Sequence, residues 1–125
     1  MRPFHVVLSH HDSLLSRRLA GRLRPEFRGI SVANSVEETR QVIVQWRPAF
    51  AIVDLELIGY SELSELCSNF PTTAFVGIHR LADEKVWCDA LAAGAVDCCA
   101  ASDIYSILRA ADRWAPSRAA LAVAA

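Results

Sequence analysis

Five short apolar runs, each followed by a stretch with helical spacing, leave this chain few ways to fold. The runs cover residues 4–9 (FHVVLS), 29–33, 50–53, 73–78 and 95–100. Runs of this length, bounded by Gly, Pro, Asn or Ser, predict buried strands. The stretches between them predict helices to about Arg24 and over about 36–46, 61–67, 82–93 and 103–114. Asp12 or Ser13, Asn34 or Ser35, and Ser102 stand at helix starts, where short polar side chains cap free N–H groups. Glu37 and Glu38 fall in a first turn, where the helix dipole favours acids. Pro25, Pro71 and Pro116 mark stops, and Gly94 suits a helix C-terminus. In the first helix Leu14, Leu15, Leu19 and Leu23 recur at helical spacing. Strands alternating with helices pair in parallel through right-handed crossovers, so one parallel sheet covered on both faces is expected. Residues 1–114 read as one domain, and 115–125 as an Ala-rich tail or the stub of a linker.

The bulk properties narrow the function class. The chain has 125 residues, enough for one core, and 53% of them are hydrophobic, too many for a disordered chain. A net charge of −1 gives no general attraction to nucleic acid or anionic membrane. No apolar stretch approaches the roughly 18 residues of a spanning helix. The start, Met1-Arg2-Pro3-Phe4-His5, runs straight into a strand and is not a secretory signal, so a cytoplasmic location is expected. Cys67, Cys88, Cys98 and Cys99 show no C-x-x-C spacing and are expected to be reduced. Cys98 and Cys99 are neighbours on a strand, so their side chains oppose each other as core fillers rather than a redox pair.

Asp54 closes the apolar run Phe50-Ala51-Ile52-Val53. A carboxylate at the carboxyl end of a buried parallel strand faces the crevice where open α/β sheets bind ligands. The same residue could instead serve only as a turn cap. Hydrolase motifs are absent: there is no Gly-x-Ser-x-Gly, no P-loop and no Gly-x-Gly-x-x-Gly. Ser9-His10-His11-Asp12 holds the residue types of a catalytic triad, but consecutive residues cannot place nucleophile, base and orienter in line. No enzymatic activity is expected.

Three segments carry a family likeness. Ile52-Val53-Asp54-Leu55-Glu56-Leu57-Ile58-Gly59, Ala82-Asp83-Glu84 and Ala90-Leu91-Ala92-Ala93-Gly94-Ala95-Val96-Asp97 stand at matching spacing. Together they resemble the receiver domain of two-component response regulators over residues 4–114. The resemblance implies a flavodoxin-like (βα)5 fold, a doubly wound five-stranded parallel sheet in the order 2-1-3-4-5. It implies that Asp54 occupies the phosphoacceptor position. The rest of the family's machinery departs from the pattern. Its paired metal-binding acids fall on His10 and His11, with Asp12 next. Its hydroxyl residue falls on His79, its lysine on Ala101 and its aromatic switch residue on Cys98. Ile58 stands where the family usually has a proline. The single lysine, Lys85, lies in the expected fourth helix.

Mg²⁺ prefers oxygen ligands, so replacing two acids by imidazoles weakens its binding. Glu56 offers a compensating carboxylate. Histidines with a carboxylate suit Zn²⁺ or Ni²⁺ better, and His10, His11, His79 and Asp54 are the candidate ligands. The alternatives are histidines that only fill a degenerate pocket, or that sense pH. Three functions follow: an atypical receiver that binds a partner or dimerises, a receiver phosphorylated on Asp54 by a histidine kinase, or a metal or pH sensor. By resemblance, the face of helix four, strand five and helix five would meet another signalling protein or a second copy, with Trp87 and Tyr105 either as contacts there or as packing between neighbouring helices. Arg17, Arg18, Arg22 and Arg24 make helix one basic, either as a solvated face or a partner contact. Trp46 is expected to be partly buried.

Overall fold

The computed structural model describes residues 1–124, and the side chains of residues 1–116. Five strands alternate with five helices. The first half runs β1 (Arg2–Ser9), α1 (Ser13–Leu23), β2 (Phe27–Ala33), α2 (Val36–Trp46) and β3 (Phe50–Asp54). The second runs α3 (Tyr60–Asn69), β4 (Ala74–His79), α4 (Glu84–Ala93), β5 (Asp97–Ala100) and α5 (Ile104–Ala124). All strand pairs are parallel and the order is β2-β1-β3-β4-β5. The expected flavodoxin-like topology is therefore observed.

Alternation along the strands feeds two cores. Val6, Leu8, Phe50, Ile52, Val76 and Ile78 face one side and pack with Leu19, Leu23, Ile107 and Ala111 of α1 and α5. Val7, Ala51, Val53 and Phe75 face the other and pack with Ile43, Leu63, Leu66 and Ala90 of α2, α3 and α4. Cys98 and Cys99 divide in the same way: Cys99 is buried in the first core and Cys98 packs against the second. β3 is buried along its whole length, as expected of a central strand covered on both faces.

The α1 packing stripe differs from the leucine pattern. Ser16, Leu19, Ala20 and Leu23 are buried, whereas Leu14 and Leu15 are exposed. Positions 16, 19, 20 and 23 form the i, i+3, i+4, i+7 face, and the two early leucines fall outside it. Trp46 is 51% exposed and lies flat on the His5 ring, with centroids 4.7 Å apart. His5 fits there because Gly29 opposes it, since a Cβ on Gly29 would meet His5 Nδ1 at 2.8 Å.

The ends of α5 are corrected twice. Asp103, not Ser102, caps its start by accepting the Ser106 N–H at 3.1 Å. Pro116 does not stop it, and the helix continues to Ala124. A proline inside a helix costs about 3 kcal/mol. Burial of Ala115 in the first core and the alanine-rich composition beyond Pro116 offset that cost.

Candidate functional site

The strand register brings the carboxyl ends of β1, β3, β4 and β5 to one edge. Ser9 lies beside Ala33 and Val53, Asp54 beside Ile78, and His79 beside Ala100. The loops leaving these ends surround a cavity of about 280 Å³. It is lined by His10, His11, Asp12, Leu15, Asp54, Glu56, Arg80 and Ala101.

Asp54 is 3% exposed, and both of its carboxylate oxygens are engaged. Oδ2 accepts the His11 main-chain N–H at 3.1 Å and a second bond from His11 Nδ1–H. Oδ1 accepts the Glu56 N–H at 2.9 Å. Asp54 also closes the following turn, because its carbonyl accepts from Leu57 and Ile58. It is thus both a turn former and a pocket carboxylate. Burial pushes the Asp54 carboxyl up, but the His11 ring and the His11 and Glu56 N–H groups outweigh it, leaving the group below its ordinary 3.8. The Asp54 bond in turn holds His11 above its ordinary 6.5.

His10 and His11 lie in the β1–α1 loop and stack with ring centroids 4.9 Å apart. His10 is buried, and its Nδ1 stands 3.7 Å from Asp54 Oδ2 and accepts the Asp12 N–H at 3.0 Å. Its place is fixed by the main chain: its N–H donates to the Ala33 carbonyl, and its carbonyl accepts Asn34 Nδ2 at 2.9 Å. Asp12 caps α1, and one of its oxygens accepts the N–H groups of both Leu14 and Leu15.

These bonds test the Mg²⁺ site that the family likeness implies. Asp54 Oδ2 is occupied by His11, Asp12 is turned to the helix end, and two imidazoles stand where oxygens are needed. The donor set does not fit a hard, octahedral cation.

His79 reaches the sheet edge but not the cluster. Its Nδ1 accepts the Leu81 N–H at 2.9 Å, and the metal-competent group among the described residues is His10, His11 and Asp54. A local turn captures the ring, so register alone misplaces this ligand. Ala101 lines the cavity and presents no charge there. The cation missed by sequence reasoning is Arg80, next after His79. Its Nε donates to Glu56 Oε1 at 2.8 Å, which draws the Glu56 carboxyl below its ordinary value. The available signal was the position of Arg80, one residue beyond β4. Cys98 is half-buried, and burial followed by the charge of Asp97 pushes its thiol up to about 11. That keeps it protonated and unreactive near neutrality.

On the far edge, Trp87 is 44% exposed and Tyr105 is 71% exposed. Trp87 Nε1 donates to Asp97 Oδ1 at 3.3 Å, and the Arg109 guanidinium lies over the Tyr105 ring. Among the described residues no helix is long and apolar enough to cross a membrane.

No protein-family model and no curated protein matches the chain. Solved structures do. A signal receiver domain of an HD domain-containing protein from Pseudomonas fluorescens superposes with a TM-score of 0.81 at 18% identity, over 96% of this chain and 99% of that one. A Francisella response regulator receiver domain gives 0.77 at 17% identity, over 91% and 98%. A Burkholderia pseudomallei response regulator, with a phosphorylated aspartic acid, calcium ion and citrate, gives 0.78 at 21% identity, over 94% and 71%. The chain has the fold of response-regulator receiver domains.

Proposed function

We propose that this chain is a receiver-fold signalling module that works by binding another signalling protein or a second copy of itself, without Mg²⁺-dependent phosphorylation of Asp54. The capture of Asp54 Oδ2 by His11, together with imidazoles where the metal-binding acids would stand, carries this reading. Oδ2 takes two bonds from His11, and Oδ1, which takes one from Glu56, keeps a lone pair with no metal or lysine beside it to neutralise an incoming phosphoryl group. The transition state would also lack its metal ligands and its lysine. Each missing group of this kind is worth roughly 3 kcal/mol of transition-state stabilisation. Arg80 does not replace the lysine, because its side chain is 77% exposed and paired with Glu56.

Binding would use the α4–β5–α5 face, where Trp87, Tyr105 and Leu81 are exposed. Exposed aromatics are the side chains that most often anchor protein interfaces. A kinase, a downstream regulator or the chain itself would be met there, away from membrane and nucleic acid.

The test is incubation with acetyl phosphate or phosphoramidate and Mg²⁺, followed by intact mass measurement. The mass is expected to stay unchanged. A gain of one phosphoryl group in the wild type that disappears in Asp54→Ala would overturn the proposal.

A further inference from the structure

We propose that His10, His11 and Asp54 form a binding site for a borderline divalent transition-metal cation, Zn²⁺ or Ni²⁺. The site lies in the cavity at the carboxyl edge of the sheet. One donor atom from each of the three residues lies within 4.8 Å of the other two. Zn–N and Zn–O bonds of about 2.0–2.1 Å in a tetrahedron place donors about 3.3–3.4 Å apart. The separation of 3.7 Å between His10 Nδ1 and Asp54 Oδ2 is already close to that. The remaining closure falls to His11, whose side chain is 42% exposed and can turn without disturbing the core.

The charges at the cavity favour a cation. Asp12, Asp54 and Glu56 line it against the single guanidinium of Arg80, which Glu56 already pairs. Two imidazoles and one carboxylate are a donor set for zinc or nickel, and a poor one for magnesium. Binding replaces two contacts. The metal takes the place of the proton between His11 Nδ1 and Asp54 Oδ2, and that proton passes to solvent. It also takes the His10 Nδ1 lone pair from the Asp12 N–H. Asp54 is buried and held by main-chain hydrogen bonds, so one ligand is in place before the ion arrives, and the His10 ring, on a fixed main chain, has only to exchange the Asp12 N–H for the metal. The fourth position opens onto the cavity and would hold water. His79 takes no part, because its ring lies outside the cluster of three donors found among the described residues.

The inference does not depend on the phosphorylation result, and each can fail alone. The test is titration calorimetry of the untagged chain with Zn²⁺, Ni²⁺ and Mg²⁺ separately. It is run in the Cys88→Ser background, because Cys88 is an exposed thiol that could bind zinc by itself. One Zn²⁺ per chain is expected, with no heat from Mg²⁺. His11→Ala is expected to weaken Zn²⁺ binding by more than about tenfold, and His79→Ala to leave it unchanged. His11 is an exposed loop residue, so its variant should fold, which circular dichroism checks. Asp54→Asn is a second variant and should also lose the ion. No heat with Zn²⁺ or Ni²⁺, or equal losses in His11→Ala and His79→Ala, would overturn the site.

Discussion

His11 and Asp54 form the closest ion pair in the cavity, and their linkage predicts a stability profile for the metal-free protein. His11 titrates above its ordinary 6.5, so its contribution is complete below 6.5 and is lost as the pH rises through the raised value. Asp54 titrates below its ordinary 3.8, so its contribution is present above 3.8 and is lost as the pH falls through the lowered value. The pair therefore stabilises most between 3.8 and 6.5. Because His11 is part-exposed, solvent screening leaves about 1 kcal/mol of this. His11→Gln should lower stability by that amount near about pH 5.5 and flatten the fall at higher pH. Urea unfolding in the presence of a chelator measures both. Sequence reasoning placed Asp54, His10, His11, Asp12, Glu56 and Ala101 at this cavity. It placed His79 at the same sheet edge, where the ring bonds the Leu81 N–H outside the three-donor cluster, and it missed Arg80, because register places a residue at an edge while the local turn decides where its side chain goes.

At the scale of elements, Arg47 ends α2 with φ 48°, a left-handed conformation that costs a side-chain-bearing residue about 1 kcal/mol. Its N–H still closes the helix onto the Ile43 carbonyl, so the conformation is the one a glycine would adopt at no steric cost. Arg47→Gly should leave stability unchanged or raise it by up to about 1 kcal/mol, against the usual loss for a glycine substitution. The thermal midpoint decides. α4 meets the same demand with Gly94 at φ 113°. A Cβ there would also come within 2.9 Å of the Cys67 Cβ. The strand-helix alternation was legible because each element carries its own periodicity and stop signals. The α1 stripe and the length of α5 were not. Which leucines are buried depends on how the helix lies against the sheet, and whether Pro116 ends a helix depends on the packing of Ala115.

At the scale of the molecule, β3 is the centre of the sheet and serves both cores. Ile52 is fully buried between β1 and β4, with Leu8 beside it on one strand and Val76 on the other. Ile52→Ala should cost about 2–5 kcal/mol, and the unfolding midpoint in urea should drop without a change of slope. Such a loss would spread from the core to the cavity, since Asp54 is held at the end of the same strand. The sequence by itself determined the parallel sheet, its helix layers and the arrival of Asp54 at the ligand-facing edge. Those follow from local periodicity and from the few topologies that alternating strands and helices allow. Only the tertiary structure decided that both oxygens of Asp54 are bonded, that His10 and His11 converge on it while His79 turns away, and that Arg80 faces Glu56. Those contacts join residues from different loops, and their geometry exists only once strand register and loop hydrogen bonds are set.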